Sequence, residues 1–282
     1  MSAASKNHPR VTIGVSLKMY FGHHQTLNWA RRIADTAARH PAVTSGTAEL
    51  FVLPAFPAIV PVAGILAGTQ VRTGAQDLAA EDTGPYTGEV SGAHLKEIGA
   101  SYAEVGHAER RRLFGEGDTV VAAKTAAALR NGLTPVLCVG ELDPVAPAEA
   151  AARTVAEAQR ILATASHDSA PAPVVIAYEP QWAIGAPEPA SPEHIRTVCE
   201  ALTAWLATQP ALTGSRVIYG GSAGPGLLTE LGTGVGGLFL GRFAHDPAAV
   251  EQILDEAMTL HAPATTPAAA NSPEGAARWL TD

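Results

Sequence analysis

"DTVVAAKTAAALRNGLTPVLCVG", residues 118–140, holds one complete repeat of a fold. Asp118 is a helix-capping residue type, and the alanine-rich stretch behind it has helical spacing. Gly132 is placed to close that helix. Residues 134–140 then form a continuous apolar run rather than an alternating one, the pattern of a parallel strand covered on both faces.

Runs of the same kind recur on either side. They are VTIGVSL (11–17), ELFVLP (49–54), VRTGAQ (71–76), SYAEVG (101–106), VVIAYE (174–179), RVIYGG (216–221) and GLFLGR (237–242). Stretches with helical spacing separate them, among them TLNWARRIADTAARH, PEHIRTVCEALTAWLATQ and DPAAVEQILDEAMTL, the last two opened by Ser191-Pro192 and Asp246-Pro247. A doubly wound open sheet also repeats βαβ, but eight units without an antiparallel tail predict an α/β fold, an eight-stranded parallel (β/α)8 barrel. The expected division is an N-terminal extension over 1–10, the barrel over 11–260, and a Pro/Ala-rich tail over 261–282.

The composition narrows the function. Hydrophobic residues make up 46% of the 282-residue chain and charged residues 16%, as in a well-packed globular protein. A formal net charge of −8 argues against nucleic acid or an acidic membrane as partner, while leaving room for a local basic pocket. Cys138 and Cys199 suggest no disulfide framework, the opening MSAASKNHPR lacks the apolar core of a signal peptide, and no apolar run is long enough to span a membrane. The expected location is cytoplasmic.

In a barrel of this kind chemistry belongs at the C-terminal ends of the strands. That rule nominates Ser16, Lys18, Gln76, His107, Glu141, Glu179, Ser222 and the glycines around Gly241. Glu179, taken alone, reads most simply as a structural carboxylate. The loop behind it, Pro180-Gln181-Trp182-Ala183-Ile184-Gly185, is unusually apolar, and an apolar flap over a carboxylate expels water and raises its basicity. His107 stands at the start of a short helix, whose partial positive charge disfavours imidazolium and leaves a neutral ring able to polarise a carbonyl. The following Arg110, Arg111 and Arg112 read as a mostly solvated run. Lys18 lies among apolar residues, either snorkelling to the surface or facing an anion. The glycine-rich turns 220–226 and 236–242 offer free N–H groups suited to phosphate. Gly220-Gly221-Ser222-Ala223-Gly224 also matches the G-x-S-x-G hydrolase elbow, with Asp246 and His261 available downstream, but that reading leaves the other motifs unexplained. No metal-ligand spacing is present.

The motifs KMY (18–20), TGEVS (87–91), GHAERR…FGE (106–116), CVGE (138–141), AYEPQWAIG (177–185) and YGGS (219–222) resemble, in order, those of the triosephosphate isomerases, and the likeness runs from about residue 11 to 260. The resemblance implies an aldose–ketose isomerase with a TIM barrel fold, a phosphorylated sugar substrate and no metal or organic cofactor. Glu179 would be the base, His107 the electrophile, Lys18 the cation that holds substrate, and Glu109 a support behind them. Pro180, Trp182, Ile184 and Gly185 would belong to a lid latched by Tyr219 and Ser222, and the N–H groups of Gly185, Ser222 and Gly241 would take the phosphate. Loop 74–92 resembles the segment that plugs into a second subunit, which implies a homodimer.

Four positions depart from the family pattern. Ser16 replaces an asparagine, Ala108 a serine, and Arg242 the second glycine of a Gly-Gly pair, while Pro187-Glu188-Pro189 stiffens the second hinge of the lid. The core motifs imply the three-carbon reaction between dihydroxyacetone phosphate and glyceraldehyde 3-phosphate, in glycolysis and gluconeogenesis. The rival reading is a four-carbon ketose phosphate, because Ser16 opens space beside the carbonyl and relatives with that substrate are similar at Ser16 and at Gly241-Arg242. A non-catalytic barrel is disfavoured by the joint presence of Lys18, His107 and Glu179.

Overall fold

The computed structural model describes residues 11–165 and 172–261. Eight parallel strands close on themselves in sequence order: β1 (Val11–Ser16), β2 (Ala48–Leu53), β3 (Arg72–Ala75), β4 (Tyr102–Val105), β5 (Thr134–Val139), β6 (Val175–Tyr178), β7 (Arg216–Tyr219) and β8 (Gly237–Leu240). The expected extension 1–10, and the tail from 262 onward, lie outside the described residues. Among the described residues no helix is long and apolar enough to cross a membrane.

The helices are α1 (His23–Arg39), α2 (Pro41–Thr44), α3 (Ile59–Leu66), α4 (Gly92–Glu97), α5 (Ala108–Phe114), α6 (Asp118–Arg130), α7 (Pro147–Ala165), α8 (Pro192–Ala207), α9 (Leu227–Leu231) and α10 (Pro247–His261). Ser191 caps α8 by accepting the N–H of His194 at 3.3 Å, and Asp246 accepts that of Ala248 at 3.0 Å at the start of α10. Asp118 does not cap α6. Gly117 stands at the N-cap, and the Asp118 carboxylate instead pairs with Arg111 and Arg160, each at 2.9 Å. Two guanidinium partners outcompete a single backbone N–H.

The strands read as continuously apolar because their two faces bury different things. Ile13, Val15, Leu50, Val52, Ala103, Val105, Leu137, Val139, Ile176 and Tyr178 point outward into the layer shared with the helices. Phe51, Leu53, Tyr102, Val136, Cys138, Val175, Ala177, Ile218 and Phe239 fill the barrel interior. Phe51 stacks on Tyr102 with ring centroids 4.3 Å apart. Below them, Arg216 donates to Thr12 at 2.7 Å and to Glu49 at 2.6 Å, and the Tyr102 hydroxyl donates to Glu49 at 2.6 Å. That polar plug closes the N-terminal mouth, and a period of two then fixes which residue at the other end of each strand faces the axis.

Closure depends on the seam between β1 and β8, where Thr12 pairs with Gly237. Gly237 has φ 148°, and a β-carbon there would lie 1.8 Å from the Thr12 carbonyl oxygen. Backbone cannot yield as a side chain can, so Gly237→Ala is expected to cost about 4 kcal/mol or more in chemical denaturation, among the largest single-site losses. A loss under about 1 kcal/mol would show that the seam is not the closure point.

Candidate active site

Inward parity brings the strand ends to one place. Glu104, Cys138, Glu179, Gly220 and Gly241 each stand two residues on from an interior position of their own strand. Ser16 and Gln76 stand two residues on from Gly14 and Gly74, where a β-carbon would meet the interior side chains of Phe51 and Leu53. Above them lies a cavity of about 680 Å³ lined by Ser16, Lys18, His107, Glu109, Glu179, Ile184, Gly185, Ser222, Gly241 and Arg242. Ten of the residues singled out in the sequence therefore share one wall.

Glu179 follows Ala177 by two and so turns into the barrel, where it is 4% exposed. It fits because Gly220 has no side chain: a β-carbon there would come within 2.7 Å of the Glu179 side chain. Its Oε2 is buried, has no hydrogen-bond partner among the described residues, and lies 3.5 Å from Nε2 of His107. Burial, reinforced by the negative charge of Glu104 and opposed by Lys18, pushes the Glu179 carboxyl up to about 8. A carboxylate so poorly solvated is a strong base, and Glu179 is part of the cavity wall.

His107 is the N-cap of α5, and its Nδ1 accepts the N–H of Glu109 at 3.1 Å. Nδ1 therefore carries the lone pair and Nε2 the proton, aimed toward Glu179 and the cavity. Burial, and then the positive charge of Lys18, lower the ring to about 4. The ring is neutral, as expected from its helix-end position. Burial is the larger cause, and the helix contributes mainly by fixing the tautomer.

Lys18 has φ 51°, and it is the one non-glycine residue with positive φ among those described. Such a conformation costs about 1–3 kcal/mol and persists only where neighbours impose it. Gln76 does so, donating from Nε2 to the Lys18 carbonyl at 3.1 Å and to that of Leu53 at 2.9 Å. The ammonium then meets Glu109 at 2.7 Å. Burial alone would lower the Lys18 pKa, but the Glu109 hydrogen bond and the charges of Glu179, Glu109 and Glu104 hold it above its ordinary value. The lysine is charged, and it does not snorkel free.

Pro180, Trp182 and Tyr219 do not line the cavity; Trp182 and Tyr219 tie the segment expected to form the lid to the scaffold. Trp182 donates from Nε1 to Glu141 at 2.9 Å, where the Tyr178 hydroxyl and His194 also converge. Glu141, nominated by its strand end, thus anchors the outer side of the lid. The Tyr219 hydroxyl accepts the N–H of Ala190 at 3.1 Å, just past the lid. Ser222 donates its hydroxyl between the carbonyls of Ala186 and Ala183, at 2.7 and 3.0 Å. That geometry suits a latch and removes the hydrolase reading, since the Ser222 proton is held by lid carbonyls and not by an imidazole. Arg242 reaches the same lid from the other rim, with Nη2 3.5 Å from the Gly185 carbonyl.

Two sequence readings need correction. Arg110 and Arg111 are not a solvated run. Arg110 pairs with Asp77 at 2.8 Å and Glu116 at 2.7 Å, beside Lys124, and Arg111 pairs with Asp118 and Glu157. This network clamps α5, which carries His107 and Glu109, to the start of the third loop. Glu104 was missed altogether. It is buried within β4, and its Oε2 accepts the Ser16 hydroxyl at 2.8 Å. A lone charge at an inward position of an apolar strand was the available signal.

These electrostatics set a pH dependence. If Glu179 must be ionised to act, kcat/KM should fall as pH drops through about 8, the free-enzyme value that this profile reports. Glu104→Gln removes a like charge, so the limb should move to lower pH. A limb that stays in place in that variant would remove Glu104 from control of the base.

Comparison with known proteins agrees with the geometry. The sequence pattern of the triosephosphate isomerase family matches residues 11–257. A Pectobacterium atrosepticum protein named L-erythrulose-1-phosphate isomerase is 55% identical over 251 residues, covering 89% of this chain and 97% of its own. A triosephosphate isomerase of Mycobacteroides abscessus is 42% identical over 212 residues, covering 73% and 80%. The crystal structure of triosephosphate isomerase from Bartonella henselae superposes with a TM-score of 0.72 at 29% identity, covering 88% of this chain and 98% of that one. With its closed barrel and with the family pattern running nearly from β1 to the end of α10, the chain belongs to the triosephosphate isomerase family of aldose–ketose isomerases.

Proposed function

We propose that this protein isomerises a four-carbon ketose 1-phosphate of the L-erythrulose type. The observation that carries the reading is the 55% identity to the L-erythrulose-1-phosphate isomerase over nearly that protein's whole length, against 42% over a shorter span for the triosephosphate isomerase. It favours the rival expectation over the three-carbon one, and a place in glycolysis or gluconeogenesis loses its support accordingly. Ser16 points the same way, being smaller than the family's asparagine and opening onto the cavity.

The chemistry follows from the wall of the cavity. Glu179 removes the proton from the hydroxyl-bearing carbon beside the carbonyl. His107 donates its Nε2 hydrogen to the carbonyl oxygen, and the Lys18 ammonium offsets the charge of the enediolate. Glu179 returns the proton to the former carbonyl carbon while the oxygens exchange a proton through His107. In a triose phosphate this gives an aldehyde. In a 1-phospho-2-ketose of four carbons the proton leaves C3 and returns to C2, so the carbonyl moves to C3 and the product is still a ketose phosphate. Backbone N–H groups of Gly185, Ser222 and Gly241, with Arg242, hold the phosphate, and the latched lid excludes water. The same reading makes the protein a cytoplasmic homodimer through loop 74–92, where Tyr86 is 45% exposed.

Two measurements test it. The purified protein should show kcat/KM at least about tenfold higher on L-erythrulose 1-phosphate than on dihydroxyacetone phosphate, since one pocket group is worth about 10- to 200-fold. A preference for the triose would overturn the four-carbon reading. Glu179→Gln should lose at least about 10²–10⁴-fold in turnover on the preferred substrate while still binding it. Near-normal turnover would remove Glu179 as the base.

A further inference from the structure

Glu104, a buried ionisable group of the barrel mouth, takes no part in the proton transfers assigned to Lys18, His107 and Glu179. Glu104 lies 3% exposed on β4, two residues after Tyr102 and therefore on the inward face. Ser16, at the end of β1, supplies the one hydrogen bond that the described residues give its carboxylate, at 2.8 Å. Ser16 in turn lines the substrate cavity beside Lys18. The carboxylate itself does not line it.

A serine hydroxyl has one proton and two lone pairs, and an ionised carboxylate can only accept. Once Ser16 has given its proton to Glu104, it can show the cavity lone pairs alone. An asparagine at the same place would offer an N–H to a carbonyl oxygen. The polarity of this wall is thereby reversed: it repels a carbonyl or enediolate oxygen and accepts from a hydroxyl. Replacing a buried partner leaves a group unpaired, so a wall built to accept a hydroxyl discriminates sharply against a substrate without one.

We propose that Glu104 is a specificity-determining positioning residue: by holding the Ser16 proton, it makes Ser16 an acceptor for the terminal hydroxyl of the ketose phosphate. This rests on the four-carbon reading above. The substrate class it selects is a 1-phospho-2-ketose carrying a hydroxymethyl group beyond the reacting carbon.

The test compares L-erythrulose 1-phosphate with its 4-deoxy analogue, in which the terminal hydroxymethyl is a methyl group, at pH 8, above the value of about 7 to which burial pushes Glu104. Wild type should prefer the hydroxylated substrate at least about tenfold in kcat/KM. Glu104→Met should bring that ratio close to one. Any change in the basicity of Glu179 acts on both compounds alike and cancels in the ratio, as would a general loss of packing. Ser16→Ala, which removes the acceptor without touching Glu104, should collapse the ratio in the same way and serves if Glu104→Met does not fold. A ratio unchanged in the soluble variants overturns the inference while leaving the four-carbon reading intact. A wild-type preference for dihydroxyacetone phosphate over L-erythrulose 1-phosphate overturns both.

Discussion

The site is organised around a carboxylate taken out of water, one of whose oxygens has no hydrogen-bond partner among the described residues. Glu179 has Glu104 and Glu109 as like-charged neighbours and Lys18 as the nearby cation, so its charge is only partly balanced. The linkage has a definite sign. Glu179 and Glu104 both lie well above their ordinary 4.5 in the folded chain. The stability they contribute is fully present below about pH 4.5 and is lost as pH rises through about 7 and 8. At the pH where Glu179 is ionised, the site draws on stability generated elsewhere.

That stability comes from a separation of tasks along the barrel. Outward strand positions pack against the helices, inward positions in the middle form an aromatic and aliphatic plug, and Arg216 with Glu49 seals the far mouth. The strained Lys18 backbone, the buried Glu179 and the unpaired oxygen all gather at the other mouth. Even the polar network of Asp77, Glu116, Lys124 and Arg110 serves this division, because it fixes α5 and hence His107 without entering the cavity. Breaking one member would strand a buried charge, a more costly event than losing a surface ion pair.

The lid follows the same economy of contacts. Its outer side is anchored through Trp182 on Glu141, its base through Tyr219 on Ala190, and its inner carbonyls on Ser222. Only Ile184, Gly185, Ala186 and Pro187, with Gln181, reach the cavity. Pro187-Glu188-Pro189, at the end of the segment proposed as the lid, has fewer backbone states to lose on ordering than a glycine-containing stretch would.

The sequence alone determined the architecture and nominated the residues of the proposed triad. Continuous apolar runs with capped helices between them admit few topologies, and strand-end placement singled out Lys18, His107, Glu179 and Ser222 without any geometry. Other features were decided only by tertiary structure. Which arginines are buried, that Asp118 pairs with Arg111 and Arg160 instead of capping, and that Glu141 holds Trp182 from outside the cavity all depend on partners 33 to 53 residues away or on competing neighbours. Glu104 is the clearest case. Its partner Ser16 is 88 residues distant in the chain, and only closure of the barrel brings β1 and β4 to a common axis, where a serine's single proton can be claimed by a carboxylate that no local pattern connects to it.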